Sequence, residues 1–368
     1  MKIGIVGYPG AGKTTIFNAL TGLRAETGPG GRTRENMGAI KVPDPRVDLL
    51  AEMHHSRKKV YAETLFVDVG ATPEGGAAKA GLSPQVIGAM QGCDALVLVL
   101  RAFENPALAQ PADPLRDLHD LGADLILADL GPLEKRLGKL SKEPGKPGEK
   151  ALLERCIPHL ESDAPLSTLG LDAAGQALLN GFGLLSTKPV LYLLNQAEEA
   201  ITAGIPPDLA AAINTEMNTE MNTEMNTEMN TAVEGRSMMA ISAQVEMDIA
   251  GMPPGEQPEF LEALGLESSA RDRFVQAAYG LLDLVGFLTT GEDESRAWPI
   301  RRGTRAVKAA GKVHSDIERG FIRAEVIAYD ALIALGGEKQ ARDAGKLRLE
   351  GKEYVVQDGD VINFRFNV

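Results

Sequence analysis

The chain has 368 residues, of which 44% are hydrophobic and 24% charged, and its formal net charge is −13. This is the composition of a packed globular protein, long enough for two or three domains at about 150 residues each. No apolar stretch reaches the roughly 20 residues of a membrane span, and the apolar start runs directly into a glycine loop, unlike a signal peptide. Two cysteines give neither a disulfide framework nor a metal cluster, so we expect a cytoplasmic protein with no membrane partner.

The charge is unevenly distributed along the chain. Residues 301–368 carry 13 Lys and Arg against 10 Asp and Glu, whereas the rest is strongly acidic. An acidic body disfavours sequence-independent binding of nucleic acid over the whole surface. The basic end can make local phosphate contacts, although a solvated mixture of charges is the simpler interpretation.

A phosphate-binding loop lies near the start of the chain. The apolar run from Lys2 to Val6 predicts a buried parallel strand, and the spacing from Thr14 to Thr21 predicts a helix. Between them, Gly7-Tyr8-Pro9-Gly10-Ala11-Gly12-Lys13-Thr14 matches the P-loop pattern in full. The motif requires a strand before it and a helix after it, and this sequence predicts both.

Each part of this loop has an expected role. Glycines let backbone N–H groups turn toward a phosphate, and the start of the following helix adds a favourable dipole. Lys13 is expected to bridge the β- and γ-phosphates as the catalytic cation, and the Thr14 hydroxyl to ligate Mg²⁺. Nucleotide contacts are assigned to Gly10, Ala11, Gly12, Lys13, Thr14 and Thr15.

An acidic residue at the end of a neighbouring strand should face the same metal. The apolar run Leu65-Phe66-Val67 ends in Asp68, which is assigned to Mg²⁺, with a helix or turn cap as the alternative. Switch-type NTPases continue this position as Asp-x-x-Gly, but here Gly70 comes one position early. No Gln follows to orient a water, and Glu74 is either a base or a solvated loop carboxylate.

Base selectivity is expected after a later strand. The strand candidate Pro189 to Leu194 continues as Asn195-Gln196-Ala197-Glu198, where GTPases have Asn-Lys-x-Asp. Gln196 removes the Lys that packs over guanine, and Glu198 places its carboxylate one methylene further out, so both changes favour ATP. Ser242 and Ala243, after the next strand, fit the loop that closes over the base. The base contacts are therefore assigned to Asn195, Glu198, Ser242 and Ala243.

Between residues 101 and 189 the pattern changes to two helices. Leucines recur at helical spacing from Leu115 to Leu140, and helical spacing resumes from Ala151 to Leu160 after a Pro/Gly turn at 142–148. Two helices joined by such a turn predict an antiparallel hairpin inserted into the α/β domain.

A short repeat follows the base-binding motif. Asn-Thr-Glu-Met occurs four times from Asn214 to Met229. One interpretation is an adaptable, methionine-rich surface for a partner. The other is a tandem duplication that is tolerated as a longer helix or loop.

The end of the chain has the pattern of a small α+β module. Glycines separate the predicted elements, and a size of about 80 residues suits a domain. Short strands are predicted at Ala297–Ile300, His314–Glu318, Arg323–Ile327, Lys346–Leu349 and Val361–Phe366, and a helix at Ala331–Leu335.

Segments in all three parts of the chain match one known family. They include Gly7 to Thr15, Val42-Pro43-Asp44-Pro45-Arg46, Phe66-Val67-Asp68, Asp124 to Asp129, Asn195-x-x-Glu198, Gly320 to Glu325 and Gln357 to Val361. Together they resemble the Obg-like ATPase (YchF) family of P-loop proteins. Because the resemblance covers nearly the whole chain, chance similarity of one motif does not explain it.

The resemblance implies a fold and an activity. The fold is α/β: a P-loop NTPase G-type domain at 1–110 and 181–284, an inserted helical hairpin at 111–180 and a small α+β TGS domain at 285–368. The activity is Mg²⁺-dependent ATP hydrolysis in a nucleotide-controlled switch, with contacts to ribosomes or RNA through the TGS and helical domains. Thr33 is assigned as a second Mg²⁺ ligand, although it lies in a switch segment whose sequence differs from that of the family.

The sequence is also compatible with two other functions. One is a GTPase of the same fold, and the other is an ATP-dependent binding switch that does not hydrolyse its nucleotide. Competition between the two nucleotides tests the first, and measurement of phosphate release tests the second.

Overall fold

The structure is a computed structural model that describes residues 1–25, 36–70, 82–140, 147–217, 238–266 and 268–367. The chain forms two compact units, one of residues 1–40 and 65–281 and the other of residues 41–64 and 282–368. In the described ranges, no helix is both long enough and apolar enough to cross a bilayer.

Strands and helices alternate along most of the described chain. The strands are β1 (Lys2–Val6), β2 (Asn36–Val42), β3 (Lys58–Val60), β4 (Ala62–Asp68), β5 (Ala95–Ala102), β6 (Val190–Gln196), β7 (Met238–Ile241), β8 (Leu284–Thr289), β9 (Glu294–Arg301), β10 (Phe321–Ala328), β11 (Arg348–Glu350) and β12 (Asp360–Phe366). The helices are α1 (Lys13–Thr21), α2 (Pro45–His54), α3 (Pro84–Gln91), α4 (Pro114–Leu140), α5 (Pro147–Glu161), α6 (Ala173–Leu179), α7 (Pro207–Met217), α8 (Ala243–Gly251), α9 (Gln257–Ala263), α10 (Ala270–Gly280), α11 (Ala306–Val313), α12 (Ser315–Arg319), α13 (Tyr329–Leu335) and α14 (Glu338–Asp343).

The first unit is built on a sheet with the strand order β2-β4-β1-β5-β6-β7. Strand β1 pairs in parallel with β4 and β5, and β6 pairs in parallel with β5 and β7. The central strands are continuous apolar runs because a parallel sheet is covered on both faces. Parallel strands bring their carboxyl ends to one edge, which is where this fold class binds ligands. The strands predicted from Lys2 to Val6, before Asp68 and from Pro189 to Leu194 lie in this sheet.

Helices α4 and α5 form the inserted hairpin, here called the helical arm (residues 114–161). Their seam is a cluster of buried apolar side chains that includes Leu133 and Leu140 of α4 with Leu153 and Leu160 of α5. Near the end of α4, the Arg136 guanidinium pairs with a carboxylate at the start of α5, as expected of an antiparallel pair. The predicted turn lies partly at 141–146, outside the described residues.

The second unit carries a sheet with the strand order β11-β10-β12-β8-β9-β3. Strands β10 and β12 pair antiparallel, as do β8 and β9, and β12 pairs in parallel with β8. Helix α11 covers one core cluster, and helices α2, α13 and α14 cover another. This is the α+β architecture predicted for the end of the chain.

Residues 41–64 pack in the second unit, whereas the predicted limits assign them to the P-loop domain. Strand β3 pairs with β9 over Lys58 to Val60. Helix α2 places Val47 and Leu50 against Leu288 in a shared core, since residues three apart lie on one helix face. These contacts join parts of the chain more than 200 positions apart, and no local pattern in the sequence indicates them.

The predicted strand at His314 to Glu318 is wrong. Residues Ser315–Arg319 form helix α12, and the His314 ring caps it by accepting the Asp316 N–H at Nδ1, 3.1 Å away. The preceding helix α11, which the pattern did not indicate, buries Ala306, Ala309 and Ala310 on one face. A five-residue segment is too short for its period to separate a strand from a capped helical turn.

Candidate nucleotide-binding site

The loop between β1 and α1 has the backbone that its glycines allow. Gly10 and Gly12 adopt φ of 77° and 90°, in the left-handed region that side chains with a Cβ rarely adopt. A Cβ on Gly12 would also collide with Nδ2 of Asn195. The loop is therefore held close to the end of β6, where the base-binding motif begins.

Lys13 is buried at the start of α1. Its Nζ donates to the Tyr8 carbonyl over 3.0 Å, so the ammonium is folded back onto its own loop. Burial lowers the pKa of Lys13 to about 8, and the nearby Asp68 charge acts against that shift. A buried cation with one neutral acceptor is electrostatically suited to receive an anion. Its assignment to the phosphates remains a prediction.

The structure brings Thr14 and Asp68, both assigned to Mg²⁺, within hydrogen-bond distance of each other. Thr14 Oγ1 donates to Asp68 Oδ2 over 2.8 Å, and Asn36 Nδ2 donates to the same oxygen over 3.2 Å. Asp68 Oδ1 is buried and, within the described ranges, has no hydrogen-bond partner. Thr33 and Glu74 lie outside the described residues.

Asn195 joins three parts of the site. Its Nδ2 donates to the Ala11 carbonyl over 2.9 Å, and its Oδ1 accepts the Ala243 N–H over 3.0 Å. The side chain is 3% exposed, so both contacts lie out of solvent. Asn195 therefore connects the phosphate loop, strand β6 and the start of α8.

The other predicted base-binding residues differ in how far they are buried. Glu198 is exposed in a short 3-10 turn after β6, whereas Ser242 is buried as the residue before α8. In the described part of the chain, Ser242 Oγ and Gln196 Nε2 are buried without a hydrogen-bond partner. Buried polar atoms of this kind are uncommon, and two lie beside Asn195.

The remaining predicted loop residues lie before α1 or in its first turn and differ in exposure. Ala11 is buried, Gly10 is exposed, and Thr15 is half-buried in the first turn of α1. Their backbone N–H groups lie at a helix start, where an anion is favoured.

Sequence reasoning missed three features of the site. Asn36 is one, because no pattern marks its contact with Asp68. A second is the hydrogen bond from Tyr8 to Asp124 of α4. The third is buried Arg101 at the end of β5, whose guanidinium donates to three carbonyls of residues 103–111 and holds that segment beside Gly10 and Gly12. A charged side chain ending an apolar strand was the signal available for Arg101.

Comparison with known families matches both ends of the chain. Residues 2–128 match the model described as "50S ribosome-binding GTPase". Residues 284–367 match the model of the YchF GTPase C-terminal region, described as "Protein of unknown function (DUF933)". The two models together cover the phosphate loop, the first part of the arm and most of the second unit.

Relatives similar over the full length were also found. The chain is 37% identical to a "Ribosome-binding ATPase YchF" of Bacillus subtilis, with 100% of both chains covered. It is 34% identical to an "Obg-like ATPase 1" of Oryza sativa subsp. japonica, covering 100% of this chain and 92% of the relative.

Solved structures agree with this result. The Schizosaccharomyces pombe YchF GTPase superposes with a TM-score of 0.84 at 28% identity, covering 99% of this chain and 97% of the other. A GTP-binding protein from Pyrococcus horikoshii OT3, at 18% identity and a TM-score of 0.58 over both whole chains, shows the fold alone. The identity and coverage of the curated relatives place this chain in the YchF family.

Proposed function

We propose that this chain is a Mg²⁺-dependent ATPase that acts as a nucleotide-controlled switch and associates with ribosomes in the cytoplasm. The curated relatives named as ribosome-binding ATPases support both the activity and the partner. The P-loop geometry supports the activity independently, because it places a buried cation and a paired Thr–Asp at a helix start.

The observation that carries the choice of ATP is the environment of Asn195. Its side-chain amide is hydrogen-bonded to the Ala11 carbonyl and to the Ala243 N–H. These two bonds hold together the segments on either side of the proposed base site. Gln196, at the position of the guanine-covering Lys, is buried within β6 and brings no cation. Glu198 follows on the surface with a longer side chain than the Asp that reads guanine. Relative to a GTPase, the site therefore lacks the Lys that covers guanine and carries its carboxylate on a longer side chain.

The residues around Asp68 fit Mg²⁺. This ion prefers oxygen ligands, and the Thr14 hydroxyl and Asp68 carboxylate supply oxygens at the carboxyl end of the sheet. Asp68 Oδ1 is buried and has no hydrogen-bond partner among the described residues. A cation or a metal-bound water would offset the cost of burying this carboxylate oxygen. Thr14 and Asp68 would hold the ion, which would supply positive charge to offset the negative charge of the phosphates during hydrolysis.

The chain's own groups supply the remaining chemistry. In the proposed mechanism, the Lys13 ammonium leaves the Tyr8 carbonyl and binds phosphate oxygens instead. Because Lys13 is already buried, it does not have to lose a shell of water before it binds the phosphates. The backbone N–H groups from Gly10 to Thr15 orient the triphosphate. We infer slow intrinsic turnover, since residues 72–76, the region where many GTPases have a Gln that orients a water, contain none. Ribosomes are the proposed activator, and single-turnover rates that do not rise on their addition would count against this.

The experiment is equilibrium binding of fluorescent ATP and GTP analogues with Mg²⁺. Wild type is compared with Asn195→Ala and Lys13→Ala, and with Asn180→Ala as a matched control, because Asn180 is exposed directly after α6 and belongs to none of the segments assigned to the site. We expect tight ATP binding that is lost in the first two variants and kept in the control. Tighter binding of GTP would instead favour a GTPase, the activity named for the S. pombe relative.

A further inference from the structure

Tyr8 and Asp124 connect the phosphate loop to the helical arm. Tyr8 Oη donates to Asp124 Oδ2 over 3.1 Å, across 116 positions in sequence, and both side chains are partly buried. Asp124 lies in α4, the first helix of the arm. The bond therefore joins a catalytic loop to an element that carries no predicted phosphate contact.

The main chain of Tyr8 organises the rest of the loop. Its carbonyl accepts both the Lys13 ammonium, at 3.0 Å, and the Ala11 N–H, at 3.2 Å. Any movement of Tyr8 therefore moves the acceptor that positions the catalytic cation.

The backbone N–H of Leu82 also acts on the Asp124 carboxylate, whose pKa it lowers. Leu82 is the first described residue after 71–81, the segment that follows Asp68 and Gly70 in sequence. Tyr8 and Leu82 also pack against the apolar cluster that includes Leu121 and Leu125 of α4. The Asp124 carboxylate of the arm is therefore bonded to the phosphate loop, and Leu82 packs against the same helix.

The ionisation of the pair agrees with this geometry. Burial, with the Asp124 charge, raises the pKa of Tyr8 above its ordinary value, so the phenol keeps its proton and is the donor. Burial also raises the pKa of Asp124, and the Tyr8 hydrogen bond opposes that shift. A hydrogen bond to a partly desolvated carboxylate is stronger than one between neutral groups.

We propose that Asp124 is a positioning residue for the phosphate site, which it controls by fixing Tyr8 and, through the Tyr8 carbonyl, Lys13 and Ala11. This inference rests on the proposed nucleotide-binding function. It assigns α4 a task beyond packing: the base of the arm sets the geometry of the loop that binds phosphates.

The test measures affinities for an ATP analogue and, by competition, for AMP. The variants are Tyr8→Phe, which removes only a hydroxyl, Asp124→Ala and the double variant. Asp120→Ala is the matched control, since Asp120 is exposed one turn earlier on α4. A role limited to folding would lower both affinities alike, whereas a role at the phosphates affects the triphosphate selectively.

We expect Tyr8→Phe and Asp124→Ala each to weaken ATP-analogue binding about threefold to tenfold, the effect of one hydrogen bond, and the double variant to lose no more. AMP binding and Asp120→Ala should stay within about twofold of wild type. Tyr8→Phe binding as wild type, equal losses for AMP, or additive effects in the double variant would each overturn the inference. If Asp124→Ala fails to fold, Tyr8→Phe decides alone. Absence of ATP-analogue binding in wild type would instead overturn the proposed function, and this inference with it.

Discussion

The phosphate site and the base of the helical arm each bury an aspartate, and both carboxylates are 2% exposed. At the arm, Asp129 accepts the Leu185 N–H at 2.7 Å on one oxygen and the Ser186 N–H and Oγ, at 2.8 and 2.6 Å, on the other. At the phosphate site, Asp68 takes both of its donors on Oδ2. Its Oδ1 has no hydrogen-bond partner in the described part of the chain.

This difference distinguishes a buried carboxylate whose two oxygens both accept hydrogen bonds from one that leaves an oxygen unpaired among the described residues. Burying a carboxylate costs free energy unless its oxygens are hydrogen-bonded or paired with a cation. Asp129 meets that requirement within the protein and ties α4 to the segment that leads into β6. Asp68 meets it on one oxygen only, beside the predicted phosphate loop. We therefore expect functional sites where a buried polar atom has no hydrogen-bond partner within the protein.

The largest expected effect is at Asp68. Asp68→Asn should lower the single-turnover rate of ATP hydrolysis by about 100-fold or more, because a charge that supports the metal is removed. The free energy of unfolding should stay equal or rise, since an incompletely paired buried charge is gone. Phosphate release and urea unfolding measure the two quantities. A large loss of stability at unchanged rate would make Asp68 a structural residue like Asp129.

The same substitution at Asp129 should lower the free energy of unfolding. Asp129→Asn replaces an acceptor facing several donors with a donor, and we expect the free energy of unfolding to fall by about 3 kcal/mol. Urea denaturation measures this, and affinity for the ATP analogue, measured on the folded fraction, should remain within about twofold of wild type. Loss of nucleotide binding without loss of stability would contradict the contrast between the two aspartates.

A smaller effect is expected at Asn36, which shares Asp68 Oδ2 with Thr14. Asn36→Ala should weaken Mn²⁺ binding to the nucleotide complex about threefold to tenfold, because one hydrogen bond that orients the carboxylate is lost. Electron paramagnetic resonance of free Mn²⁺ measures this. In an Asp68→Asn background the same change should have no further effect; a full additional loss would show that Asn36 acts independently of Asp68.

The smallest effect is expected from an ion pair on the second unit. Arg365 pairs with Glu325 at 3.1 Å, and this hydrogen bond holds the pKa of Glu325 below its ordinary value. A carboxylate with a lowered folded pKa stabilises the protein fully above its unfolded pKa, and this contribution is lost as pH falls through the folded value. Arg365→Met should therefore cost about 0.5 kcal/mol at neutral pH and nothing in acid below both values. Urea midpoints across pH measure this, and an equal cost at all pH values would point to packing instead.

The sequence predicts best where a pattern is local. The loop from Gly7 to Thr14, the strand ending in Asp68 and the leucine seam of the arm are each read from neighbouring residues, and the structure contains all three. The position of Asn195 was predicted from its place after a strand, although its bonds to Ala11 and Ala243 were not.

What the sequence does not predict depends on distant contacts. Residues 41–64 join the second unit through pairing of β3 with β9. The Tyr8–Asp124 bond and the contact of Asn36 with Asp68 likewise join side chains with no shared pattern. Periodicity records which face of an element is buried, but not which distant element covers it.

The most direct test of the proposed function is phosphate release from ATP and from GTP at equal concentrations, with Mg²⁺ and with or without ribosomes. Lys13→Ala, prepared identically, controls for contaminating activity. We expect wild type to release phosphate from ATP in preference to GTP, and the Lys13→Ala variant to release almost none from either. Preferential hydrolysis of GTP would contradict the selectivity inferred from Asn195, Gln196 and Glu198, and equal release by wild type and Lys13→Ala would contradict the proposed ATPase itself.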